Sequence, residues 1–221
     1  MVTLTHNRVP LAASNTHPMR IIETRKAPNP RRVRIFLTEK GIKIPFEGID
    51  LMAGDLKTPE FTAINPMQRV PVLLLDDGTA IAETVAICRY FEECHPEPAL
   101  FGRGAAGRAN VEMWNRRVEQ GLFAAVAHVF RHLNPKMAHL ESPQVAAWGE
   151  ANKPKVDWML GLLDDVLARH HYIAGEEYSI ADITALVAID FMKPAHLEWQ
   201  EGHANVARWH DEVSGRPSAK A

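Results

Sequence analysis

Asn29 sits in the run Ala27-Pro28-Asn29-Pro30-Arg31-Arg32-Val33, where a short apolar segment gives way to a helical pattern. Its amide carries two N–H donors, and a helix N-terminus favours an anion. Pro28 and Pro30 bring no N–H, which leaves the Asn29 side chain and the N–H groups just beyond it as the available donors. The same residue also reads as an ordinary helix cap, where asparagine is strongly preferred. A second end of this kind lies at Glu83-Thr84, which opens another helical run. Unpaired N–H groups at such an end favour an anion. A plain helix start is the alternative, since Glu and Thr are both common there.

Two histidines offer acid–base chemistry. His128 and His132 share one helix face, and a side chain with an ordinary pKa of about 6.5 can hold or deprotonate a water. His132, in Phe130-Arg131-His132-Leu133, is the preferred candidate; a histidine that merely lines a cleft or meets solvent is the alternative. No glutamate follows the first histidine as in the zinc-protease motif, so no metal site is expected. Cys88 and Cys94 lie six apart in a helical run, matching neither a C-x-x-C redox pair nor a disulfide framework. They are read as small buried hydrophobes in a reducing cytosol.

These groups need elements to position them. Met19 to Thr24 is short, apolar and β-rich, Pro30 suits the first turn of a helix that Gly41 stops, and Ile44 to Ile49 reads as a second strand. After a possible short helix, Val70 to Leu75 meets Asp76-Asp77-Gly78 and returns through Thr79 to Ala82, a hairpin whose Asp-Gly tolerates positive φ. A helix over about 83–93 closes the unit, and Pro96 and Pro98 mark a linker. Everything beyond reads as helix, over about 105–133, 143–170, 179–193 and 203–214. In the first of these Val111, Trp114, Val118, Leu122 and Ala125 make one apolar face, and Ser179-Ile180-Ala181-Asp182 is a capping box. The expected layout is a loose tail over 1–18, an α/β domain over 19–97 and an all-helical domain over 104–221.

The whole chain has 221 residues, 46% of them hydrophobic and 24% charged, with a formal net charge of −2. That balance is ordinary for globular proteins and gives no case for nucleic acid. The first 18 residues lack the apolar core of a secretory signal, and no run reaches the roughly 18 apolar residues of a membrane span. A cytoplasmic protein with small-molecule or protein partners is expected.

A βαβ-ββα unit followed by helices is similar to the cytosolic glutathione transferases, from about Met19 to the end. Asn65-Pro66 followed by Arg69-Val70-Pro71-Val72-Leu73 resembles that family's segment leading to a cis-proline, and Glu83-Thr84 its acidic-plus-hydroxyl pair. Met113-Trp114-Asn115-Arg116-Arg117-Val118-Glu119 and Tyr172-Ile173-Ala174-Gly175 through Tyr178-Ser179-Ile180-Ala181-Asp182 resemble helical-domain signatures of bacterial members and of fungal members lacking the usual catalytic side chain. The resemblance implies a thioredoxin-like fold for the α/β domain, glutathione as co-substrate with no cofactor, and a homodimer. Val70 would pair its N–H and C=O with the cysteinyl part of glutathione as an added strand does. Pro71 would supply the cis bond, Glu83 and Thr84 would take the γ-glutamyl end, and Arg69, with Lys57 after it, the glycyl carboxylate. Met113, Trp114 and Arg117 would face the second substrate, although Trp114 is also a natural core residue.

One position departs from the family. The run from Ala27 to Val33 resembles the serine version of its catalytic turn, with alanine in serine's place. A thiol of ordinary pKa about 8.5 must become a thiolate, and alanine donates nothing to it. Asn29 can: a hydrogen bond to a charged group contributes roughly 1.5–3 kcal/mol and one pKa unit is about 1.36 kcal/mol, so one donor could lower the thiol by about one to two. Water held by His132 is the second route. The expected function is conjugation of glutathione to small hydrophobic electrophiles, with two alternatives: a glutathione-dependent disulfide oxidoreductase, and a non-catalytic binding module that kept the fold.

Overall fold

Alternation along short apolar runs decides the first half of the molecule. In a computed structural model, which describes residues 18–51, 53–199 and 201–221, strand β1 (Arg20–Glu23) leads to helix α1 (Pro28–Glu39), β2 (Phe46–Gly48), a 3-10 turn at Asp55–Lys57 and α2 (Pro59–Ile64). Strands β3 (Val72–Leu74) and β4 (Ala80–Ala82) and helix α3 (Thr84–Cys94) complete the unit. The tail expected over 1–18 falls, apart from Pro18, outside the described residues. The strands form one mixed sheet in the order β2-β1-β3-β4, with β1 parallel to β2 and the other pairs antiparallel. Successive side chains of a strand point to opposite faces, which explains three consecutive buried residues in β3. Leu73 joins the main core with Ile21, Phe36 and Ile87, while Val72 and Leu74 meet Phe61 of α2 on the other face. The fold is thioredoxin-like.

The hairpin expected at Asp76-Asp77-Gly78 forms: Gly78 adopts φ 84, and the Leu75 N–H donates to Thr79 O at 2.9 Å. Strand β2 is shorter than the expected 44–49 and fully exposed, as befits an edge.

The second half is helical. Helices α4 (Gly104–Arg117) and α5 (Ala124–Leu133) run on through a π-helical segment at Val118–Phe123, so the single helix expected over 105–133 carries an irregular middle. Then come α6 (Ala146–Leu167), α7 (Ile180–Asp190), α8 (Ala204–Ser214) and a 3-10 turn at Pro217–Lys220 that the sequence did not suggest. Every residue of α7 from Ile180 to Ile189 is buried, Asp182 and Thr184 among them, so this helix is enclosed on all sides and forms the centre of the second half. Its capping box is present. Asp182 Oδ2 accepts from the Ser179 N–H at 2.9 Å, and Asp182 Oδ1 accepts from the Ile173 N–H and from Trp209 Nε1, each at 3.0 Å. Val111, Val118, Leu122 and Ala125 are buried as expected, with Trp114 at the margin of the core. The terminal turn clamps α1: Arg216 forms a two-pronged ion pair with Glu39 at 2.8 and 2.7 Å, and Arg31 Nη2 donates to Ala219 O at 3.0 Å.

Candidate functional site

Residues 65–84 form one edge of the site. Asn65 is buried at 3% exposure, accepts from the Met67 N–H at 3.1 Å and donates to Arg69 O at 2.8 Å. Its own carbonyl accepts from the Gln68 N–H at 2.9 Å, and Gln68, at φ 53, donates to Thr62 Oγ1 at 3.0 Å. This knot delivers the chain to Val70-Pro71, whose peptide bond is cis. Neither the N–H nor the C=O of Val70 takes a hydrogen bond among the described residues.

The hairpin register places this edge against the next helix. Val72 pairs with Ala82 at the end of the hairpin, so Val70-Pro71 enters and Glu83-Thr84 leaves the paired strands at the same end of the sheet. Glu83 is the residue before α3 and adopts φ 71, ψ 124, a left-handed conformation costing on the order of 1–3 kcal/mol for a non-glycine and concentrated at functional sites. Its carboxylate is exposed with no hydrogen bond or ion pair among the described residues, while Thr84 beside it is buried. The strain at Glu83 has no signature in the residue type. Lys57 and Arg69 are both exposed and form no ion pair among the described residues.

The first turn of α1 forms the other edge, and here the geometry corrects the reading of Asn29 as a cap. The cap is Ala27 (φ −78, ψ 141), which makes no side-chain capping bond. Asn29 is the second residue of the helix. Pro28 and Pro30 have no N–H, and the Arg31 N–H reaches Ala27 O at 3.3 Å. The Asn29 N–H is therefore the one backbone donor of this turn without a partner among the described residues. The turn itself is anchored, with Ala27 N–H on Thr24 O at 2.9 Å and Thr24 Oγ1 on Ile49 O at 2.9 Å.

Arg32 lies behind Asn29. At 1% exposure, its Nη1 donates to Asn29 Oδ1 at 3.2 Å and to Glu119 Oε1 at 2.8 Å, and its Nη2 donates to Thr184 Oγ1 at 2.9 Å. Thr184 Oγ1 in turn donates to Asn115 Oδ1 at 2.7 Å. The guanidinium also stands 5.5 Å from the ring centre of Phe123. Phe123 faces Phe191 edge-on at 6.3 Å, and Phe130 reaches Phe191 at 4.9 Å. An aromatic wall thus stands beside the α1 turn, and sequence reasoning did not find it; three phenylalanines at long spacing look like any core.

Met113, Trp114 and Arg117 are not brought to this end. Glu119 is the residue that faces Arg32, and Arg117, two positions earlier, lies about 200° round the helix from it. The Arg117 guanidinium instead covers the Trp114 ring at 4.8 Å, Trp114 packs at the core's margin, and Met113 is exposed.

His132 is also engaged elsewhere. Its Nδ1 accepts from the N–H of Val145, the residue capping α6, at 3.1 Å; its Nε2 is 3.9 Å from a Glu141 oxygen; and its ring stacks on His128 with centres 6.0 Å apart. These links tie α5 to the start of α6, and none reaches α1. Burial, with His132 beside it, holds the His128 imidazole below its ordinary pKa. Among the described residues no group of three or more His, Cys, Asp or Glu side chains could hold a metal ion. Of the cysteines, Cys88 is buried as expected, and that burial pushes its thiol up to about 12. Cys94 is exposed, because it falls on the last turn of α3 on the side away from the core.

Comparison with known proteins agrees with this architecture. Residues 27–94 match the family model for the glutathione S-transferase N-terminal domain, and residues 125–217 that for the C-terminal domain. Glutathione S-transferase 2 of Saccharomyces cerevisiae is 36% identical over 205 residues, covering 91% of this chain and 88% of that protein. The solved structure of a glutathione S-transferase domain-containing protein from Marinobacter aquaeolei superposes with a TM-score of 0.87 at 37% identity, covering 90% of this chain and 98% of that one. A glutathione S-transferase of class Gtt2 from Vibrio parahaemolyticus gives 0.81 at 37%, covering 91% and 96%.

Proposed function

The chain belongs to the glutathione S-transferase family, and on that premise we propose that it joins the thiol of glutathione to small hydrophobic electrophiles. Val70 holds the cysteinyl backbone, Glu83 and Thr84 hold the γ-glutamyl end, and Arg69 with Lys57 answers the glycyl carboxylate. The thiol then lies over the first turn of α1. Asn29 Nδ2 donates to the sulfur as its proton leaves for solvent, and the thiolate attacks an electrophilic carbon whose leaving group departs with the bonding pair. Phe123, Phe130 and Phe191 take the place expected of Met113, Trp114 and Arg117 as the wall for that second substrate. No metal or redox group enters the reaction so written.

The observation that carries this reading is the adjacency of an amide donor and an aromatic wall at one helix start, held together by Arg32. Water activation through His132 is the weaker route, because its ring nitrogens serve the α5–α6 junction.

Two assays run side by side test the proposal: conjugation of a chlorinated nitrobenzene, and reduction of hydroxyethyl disulfide, each with glutathione. Turnover of the first supports the transferase. Turnover of the disulfide alone would replace it with the oxidoreductase, which shares the thiolate step, and glutathione binding with neither activity would leave a binding module. The same reading takes the protein to be a cytoplasmic homodimer. Among the described residues no helix is long and apolar enough to cross a membrane, and sedimentation at micromolar concentration checks the dimer.

A further inference from the structure

The geometry points to Arg32 as the positioning residue that fixes which end of the Asn29 amide meets the thiol, an inference that rests on Asn29 being the thiol's donor. An asparagine amide has an accepting oxygen and a donating nitrogen of nearly equal size, and only its partners decide which faces where. A guanidinium has donors and no acceptor. Arg32 Nη1, 3.2 Å from Asn29, can therefore face only the oxygen, and this turns Nδ2 the other way. Without Arg32 the amide can rotate and present its oxygen to the sulfur, an acceptor that repels a thiolate.

Arg32 is itself held from the second half of the chain. Glu119 neutralises it at 2.8 Å and Thr184 accepts at 2.9 Å, while the Phe123 ring lies against its face. Glu119 and Phe123 both belong to the π-helical segment Val118–Phe123. Such wide turns inside an α-helix are frequent at functional sites because they re-aim the side chains they carry. Here the segment supplies both contacts to one buried arginine. The orientation of a donor in the first half is thus set by a helix in the second.

The test is a double-mutant cycle read by ultraviolet titration of the bound glutathione thiolate, with glutathione affinity measured in parallel. Asn29→Ala raises the thiol's pKa by about one, a tenfold loss of thiolate below it. Arg32→Met is expected to raise it by a similar amount with glutathione affinity unchanged at a pH below the bound thiol's pKa, where the thiol binds protonated, and the double variant to add nothing further, since Arg32 acts through Asn29. Arg32→Lys keeps the charge and loses the fork, so it is expected to recover less than half of the effect. Should Arg32→Met fold poorly, this lysine variant carries the test alone, against the unmodified protein.

Additive effects in the double variant, or full recovery by lysine, would show Arg32 working by its charge and overturn the proposal. So would an unchanged titration in the Arg32 variants when Asn29→Ala shifts it. No shift in Asn29→Ala itself would remove the reading on which the proposal rests, and is distinguishable from the other outcomes.

Discussion

The two edges of the site are built on opposite plans. From Asn65 to Thr84, the groups that face glutathione in the proposed reading, the Val70 backbone and the Glu83-Thr84 helix start among them, are placed by backbone geometry: a cis bond, a hairpin and the positive φ of Glu83. From Ala27 to Arg32 the active group in that reading is one side chain, held by another whose other partners are 87 and 152 residues away. In that reading the first edge holds the ligand and leaves the thiol to the second. Side-chain aiming is sensitive to single substitutions, and a family can retain one edge while rebuilding the other. Alanine at position 27 fits that asymmetry.

The largest expected separation comes from reversing the charge at Glu83. Glu83→Lys removes the partner of the γ-glutamyl ammonium and places a cation beside it. A hydrogen bond to a charged group contributes roughly 1.5–3 kcal/mol, so affinity should fall by about tenfold to more than a hundredfold. The pKa of the thiol in whatever complex remains should match the unmodified protein. Calorimetry and thiolate titration check the two halves, and a shifted thiol would mean that the edges are not independent. Asn29→Ala should show the mirror pattern, with thiol pKa raised and affinity kept at a pH below that pKa, where the thiol binds protonated.

The same asymmetry governs what could be read from the sequence. The motif from Asn65 to Thr84 is contiguous, its turn carries Asp-Gly, and its strands are short enough for the register to follow from the chain. The positions of Val70, Glu83 and Thr84 were therefore legible together. Asn29 was placed in the first turn of α1 but misread as its cap, because two prolines around it blur where the helix begins. Arg32 was invisible: an arginine three residues on looks solvated until Glu119 and Thr184 close over it. The π-helical segment has no proline to announce it, so a regular helix was expected, although the apolar face read through it is the buried one.

A smaller effect is expected at the helix cap. Ala27→Ser gives α1 a side-chain oxygen at its cap, where it can accept from the Asn29 N–H, since Pro30 offers none. Caps of this kind are worth roughly 0.5–2 kcal/mol, and the low end is expected with one donor to satisfy. Denaturant unfolding should move to a higher midpoint at unchanged slope. The new hydroxyl can donate onward to the sulfur, so the same change made in Asn29→Ala should recover part of the lost thiolate. A stabilised protein with no recovery would mean that a serine here caps the helix without reaching the thiol.

The smallest effect on the thiol is expected at His132, and it bears on whether activation is confined to α1. His132→Ala removes the acceptor of the Val145 N–H and the ring stacked on His128. An exposed N–H that loses its cap can turn to water, so the loss should be on the order of 1 kcal/mol of stability, seen as a lower unfolding midpoint and faster hydrogen exchange at the start of α6. Thiolate titration and turnover at neutral pH should stay as they are, because the histidine's contacts run between α5 and α6. A rate that falls while glutathione affinity and the folded fraction hold would place an activating water on the helical side. The division between a holding edge and a single activating turn would then give way to one in which the sulfur is served from both halves of the chain.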